Sequence, residues 1–109
     1  MTIGVCSLEI YLPGSQSLKD RRRVVRRLKD RLRSRHNVAV IELDEHAELW
    51  QRAGLMMVSL ATNRDVLQRL FESVQREAET HVPGEVVVLG IDFIEAVDGG
   101  PLDWSAEEP

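Results

Sequence analysis

Twice in this chain an alternating apolar segment runs into a Ser/Thr-x-x-Asp sequence and then into apolar residues at helical spacing. That repeat limits the fold more tightly than any other feature. From Ile3 to Leu12, the residues Cys6, Leu8, Ile10 and Leu12 share one face, and Val5, Ser7, Glu9 and Tyr11 share the other, as in a strand. Pro13-Gly14 ends it. Ser17 then stands at an N-cap, with Asp20 in the first turn, where the helix dipole favours a carboxylate. Leu18, Val24, Val25, Leu28 and Leu32 form the apolar stripe of this first helix. Arg21 projects onto the N-terminal end of that stripe, where it snorkels or meets a carboxylate.

His36-Asn37 breaks the pattern, and Val38 to Asp44 predicts a second strand. The connection Glu45 to Gly54 is long for a hairpin. Leu55 to Ala61 predicts a third strand. Thr62-x-x-Asp65 repeats the capping spacing and opens a second helix, whose stripe is Val66, Leu67, Leu70, Phe71, Val74 and Ala78. Pro83-Gly84 stops it, and Val86 to Val97 predicts a long fourth strand.

Strand, helix, strand, strand, helix, strand with right-handed crossovers is an α+β fold. It is the ferredoxin-like split βαβ sandwich (βαββαβ), a four-stranded antiparallel sheet with two helices on one face. Two helices cover one face of such a sheet, so the other is left open. Residues 1–97 are expected to form this single domain. Residues 98–109 are expected to be an acidic, flexible tail unless Trp104 docks. No run approaches the roughly 18 apolar residues of a membrane span. The N-terminal residues lack a charged region and a cleavage site, so no secretory signal is expected. Cys6 is the single cysteine, which leaves no internal disulfide and no Cys-based metal site. A cytoplasmic protein without membrane association is the expectation.

Charge is distributed unevenly. Leu18 to Arg35 contains ten of the 14 Lys and Arg residues and only Asp20 and Asp30 in opposition, a net of +8. The whole chain carries −4, so the rest carries −12. A basic helix on an acidic body is a directed field that favours an anionic partner. Lys19, Arg22, Arg23, Arg26, Arg27 and Arg33 are the candidate contacts, because guanidinium forks pair with phosphate through parallel hydrogen bonds. Such contacts dominate affinity, carry no base sequence information and weaken steeply with salt.

The open sheet face is a second candidate surface. Its expected positions are Val5, Ser7, Glu9, Val40, Glu42, Leu55, Met57, Ser59, Val88 and Asp92. Domains of this topology that bind RNA on the sheet stack bases on strand aromatics, and this set has none. Its Val, Leu and Met content suits another subunit instead. Val5, Val40, Met57 and Val88 are the expected interface of a two-fold homo-oligomer.

Glu42, Asp44, Glu45 and His46 are the densest polar cluster but offer too few convergent ligands for a metal site, and no metal or cofactor is assigned. Trp50 is expected to anchor its loop by burial. His36 and His81 end the two helices, where partial positive charge suits the dipole. A Gly-rich phosphate loop, a nucleophile elbow and HExxH are all lacking. Acylphosphatases share the topology and use an Arg in the first strand-to-helix loop with an Asn after the third strand. Here Pro13 to Ser17 contains no Arg, and Asn63 alone is insufficient. No enzymatic activity is expected.

Leu12-Pro13-Gly14, Ser17 to Val25 (SLKDRRRVV), Asn37-Val38, Glu42-Leu43-Asp44 and Leu49 to Ala53 (LWQRA) together resemble the YlxP-like family of bacterial proteins of unknown function. The likeness runs nearly to Val97. It departs at Glu45-His46, where a His-first order is more usual, and in the C-terminal tail. The resemblance implies a ferredoxin-like fold and no established activity. Its members are often encoded beside transcription and translation factors, including a ribosome-binding factor, which implies RNA or a ribosomal subunit as the partner. The leading expectation is therefore an RNA- or ribosome-associated protein acting through its first helix. The alternatives are a homo-oligomeric interaction module using the sheet face and a small-molecule sensor at a subunit interface.

Overall fold

The computed structural model describes residues 1–43 and 51–95. Its elements are β1 (Thr2–Tyr11), α1 (Leu18–Arg35), β2 (Ala39–Leu43), β3 (Arg52–Ala61), α2 (Arg64–His81) and β4 (Glu85–Glu95). The strands form one antiparallel sheet in the order β2-β3-β1-β4, the ferredoxin-like arrangement. Asp44, Glu45, His46, Trp50 and the C-terminal tail with Trp104 lie outside the described residues.

The first helix begins as its spacing predicts. Ser17 Oγ accepts from the Asp20 N–H at 3.1 Å, while Asp20 Oδ2 accepts from the N–H of Gln16, one residue before the cap. The second begins one residue later than expected. Asn63, not Thr62, is its N-cap, and its side-chain oxygen accepts from the Val66 N–H at 3.1 Å. Asn is the stronger capping residue of the two, which explains the shift.

Cys6, Leu8, Ile10 and Leu12 line the covered face of the sheet as their alternation requires. They pack with Val25, Leu28 and Leu32 of α1 and Leu67, Phe71, Val74 and Ala78 of α2. Each large side chain buried there contributes roughly 2 kcal/mol. Burial pushes the Cys6 thiol up to about 11, so it stays protonated and inert. Gly4 lets α2 come close: a Cβ there would stand 2.7 Å from the Phe71 ring.

Three of the four expected interface residues sit on the other side of the sheet. Val40 and Met57 are core residues on the covered face, 3% and 0% exposed, and Val88 packs against the same core. Leu55, Ser59 and Glu42 are also turned to the covered face: Leu55 pairs with Leu8, Ser59 with Gly4 and Glu42 with Leu55. Val5 is on the open face as expected, opposite Val58. The physical reason is phase. In β2 and β3 apolar residues occupy both alternating sets, and a one-residue slip exchanges every side chain between faces. In β4 a bulge breaks the phase itself: Leu8 pairs with Val88 but Ser7 with Gly90, so Leu89 is an extra residue. Val86 and Val88 then point inward before the bulge and Ile91 and Phe93 after it.

The open face is apolar all the same, through different residues. Ile41 and Leu60 are each 58% exposed, with Ile94 and Val58 beside them at 47% and 39%.

Candidate nucleic-acid interface

Nine of the ten cations of α1, all but Lys29, divide according to what the fold places beside them. Arg21 is buried. Its Nη2 donates to Glu42 Oε2 at 2.6 Å and its Nε to the Arg52 carbonyl at 2.6 Å. Glu42 is the carboxylate that a basic residue on an apolar stripe requires. Arg21 thereby ties α1 to both β2 and β3, and none of its charge reaches a partner.

Toward the end of α1 a second carboxylate gathers several cations. Glu77 of α2 accepts from Arg31 Nε at 3.2 Å and lies 3.7 Å from Arg35 Nε. His81 Nε2 is 3.1 Å away and His36 Nε2 is 3.7 Å away. Partial burial raises the Glu77 pKa. The Arg31 hydrogen bond and the charges of Arg31, Arg35 and His81 outweigh that and hold it below its ordinary 4.5. The two histidines thus face a carboxylate as well as the helix ends. The i,i+4 spacing of Glu77 and His81 is the one trace of this cluster in the sequence.

Arg33 is separated from the other candidate contacts. Its Nη2 donates to the Val40 carbonyl at 2.8 Å, and its Nη1 lies 3.8 Å from Asp30. It is also six residues beyond Arg27, about 9 Å along the axis.

The remaining five candidates come together. Lys19, Arg22, Arg23, Arg26 and Arg27 are all exposed and jointly line one shallow depression of about 490 Å³ on the outer side of α1. Among the described residues no carboxylate forms an ion pair with any of them. Their spacing repeats at three and four residues, which puts them on neighbouring turns of one face. All five fall within about 12 Å of helix axis. Five like charges at that spacing repel one another, and an anion that bridges them removes the repulsion.

Arg27 also belongs to a groove on the inner side of the patch. Val24, Arg27, Leu28 and Arg31 of α1 face His81 and Pro83 across about 510 Å³. Gly84 holds the Pro83 wall in place: a Cβ there would stand 1.8 Å from the Tyr11 carbonyl oxygen, a distance only glycine permits.

No helix among the described residues is long and apolar enough to cross a membrane. A protein-family model described as "Protein of unknown function (DUF503)" matches residues 3–91. No curated protein matches the chain. Among solved structures, the de novo designed protein Foldit4 is similar at a TM-score of 0.45 and 13% identity, over 88% of this chain and 98% of that one.

Proposed function

This chain belongs to the DUF503 family of proteins of unknown function, and we propose that it is a non-enzymatic RNA-binding protein that docks the outer face of α1 on the phosphate backbone. The observation that carries this reading is the set of five exposed cations, Lys19, Arg22, Arg23, Arg26 and Arg27, with no described carboxylate paired to them. Backbone phosphates recur in a row along an RNA strand, and arginine forks bind them with two parallel hydrogen bonds. The likeness to the YlxP-like proteins directs the proposal to ribosomal RNA, in the cytoplasm.

The reading has a quantitative signature. Five phosphate contacts give a slope in log K against log salt of about −3.5 on single-stranded RNA, rising to about −4.5 on a duplex backbone. The test is fluorescence anisotropy with structured RNA and with purified ribosomal subunits over a salt series. Wild-type protein that shows no salt-dependent binding to either overturns the proposal.

A second reading rests on a different observation. Ile41, Val58, Leu60 and Ile94 leave apolar surface on the open sheet face, which a second copy of the chain would cover. Replacing Ile41 and Leu60 by Lys should convert a wild-type dimer to monomer in sedimentation. A wild-type monomer, or a dimer indifferent to both substitutions, removes this reading.

A further inference from the structure

The basic patch and the groove beside it share Arg27 as a common wall. The groove continues past Val24 and Pro83 into a further depression of about 330 Å³ that reaches the Gly14–Ser15 turn and takes in Arg23 and Asp20. Its chemistry changes along its length. Arg31 and His81, both beside Glu77, stand at one end, Val24, Leu28 and Pro83 form its apolar middle with Arg27 along it, and Asp20 and Arg23 lie at the other end.

A wholly apolar ligand would leave Arg27, which has no described carboxylate paired to it, without a counter-charge. A compact inorganic anion would leave the apolar middle uncovered. A flat, partly apolar body with an anionic group at one end satisfies both, and a nucleotide has that build. The volume lies within the roughly 300–1,000 Å³ of small-molecule sites.

We infer that this groove takes one unpaired nucleotide of the RNA whose backbone lies along Lys19 to Arg27. The inference rests on the RNA-binding reading above and deepens it. The phosphate sits at Arg27, where the groove meets the basic patch. The base lies over Val24 and Pro83, with the Arg27 guanidinium plane available for stacking. Asp20 at the far end is placed to accept from a base amino group. A base inside a duplex is stacked and cannot reach the groove, so the protein discriminates RNA with unpaired nucleotides from fully paired RNA.

The test compares two labelled RNAs at one salt concentration: a blunt hairpin and the same hairpin with a short single-stranded extension. Wild-type protein should bind the extended RNA about tenfold more tightly, the gain of stacking one base. Val24→Trp fills the groove from the α1 side. It should bring both RNAs to the affinity of the blunt one while leaving the salt slope unchanged. His81→Trp closes the same groove from the exposed opposite wall, should do likewise, and covers the case in which Val24→Trp fails to fold by circular dichroism. Salt-dependent binding of both RNAs with no preference in wild type overturns the groove assignment and leaves the backbone reading standing. So does a preference that survives in a folded Trp variant. Binding of neither RNA removes the parent reading and this one with it.

Discussion

In the first half of α1, Lys19, Arg22, Arg23, Arg26 and Arg27 project from the molecule with no described carboxylate paired to them. In the second half, Arg31 and Arg35 share Glu77, and Arg33 bonds the Val40 carbonyl. The two halves have the same kind of composition and opposite fates. The difference is the path of α2, which passes the second half with Glu77 and His81 and meets the first half only at its inner edge, beside Arg27. A net charge of +8 on a segment is therefore not +8 of available potential. The cations that matter for a partner are those that the neighbouring helix does not reach.

Charge reversal breaks the comparison most directly. Arg23→Glu, Arg26→Glu and Arg27→Glu together should weaken RNA binding about 1,000-fold at low salt, whereas Arg31→Glu with Arg35→Glu should cost only a few-fold. Equal losses in the two variants, measured by anisotropy, would mean that the halves are not distinct. Next in size is the anchor between them and the sheet. Arg21→Leu leaves Glu42 unpaired at a site only partly open to water and should destabilise the fold by about 3 kcal/mol in urea unfolding, at the low end for a buried pair because Glu42 is 25% exposed. RNA affinity of the protein that remains folded should not change.

A smaller effect isolates the start of the free half. Ser17→Ala removes the cap and should cost about 1 kcal/mol in the same measurement, with no change in the pH dependence that Glu77 confers. Glu77→Gln is the mildest and the most instructive change. It releases Arg31 and Arg35, so RNA affinity should rise about threefold and the salt slope should steepen by about one. The folded-state pKa of Glu77 lies below its ordinary 4.5, so its contribution to stability is fully present above that value and is lost as the pH falls through the folded pKa. In the Gln variant that part of the acid-side loss of stability should vanish. A variant with unchanged affinity would show that the Glu77 pairs do not hold those arginines back from RNA.

Much of the architecture was legible in residues that admit a single reading. Ser17 and its Asp20, the alternation Cys6-Leu8-Ile10-Leu12 and the Pro13-Gly14 and Pro83-Gly84 stops each specify one local conformation. The exposed face shared by Lys19, Arg22, Arg23, Arg26 and Arg27 was legible for the same reason, because helical periodicity groups them without help from the rest of the chain. Arg33 was not, because its partner is a carbonyl on another element. The orientations of Val40, Met57 and Val88 were not either. Leu55-Met56-Met57-Val58 is apolar in both phases, and the bulge at Leu89 exchanges the phase within one strand.

What the sequence determined alone, then, was the order of elements, their caps and the cationic face of one helix, since these depend on neighbours at most four residues apart. The tertiary structure decided which side of each all-apolar strand is covered, which arginines Glu42 and Glu77 neutralise, and where Pro83 closes a groove against Val24. Those outcomes depend on pairing register and helix packing between residues 11 to 93 positions apart, and electrostatic neutralisation acts through space.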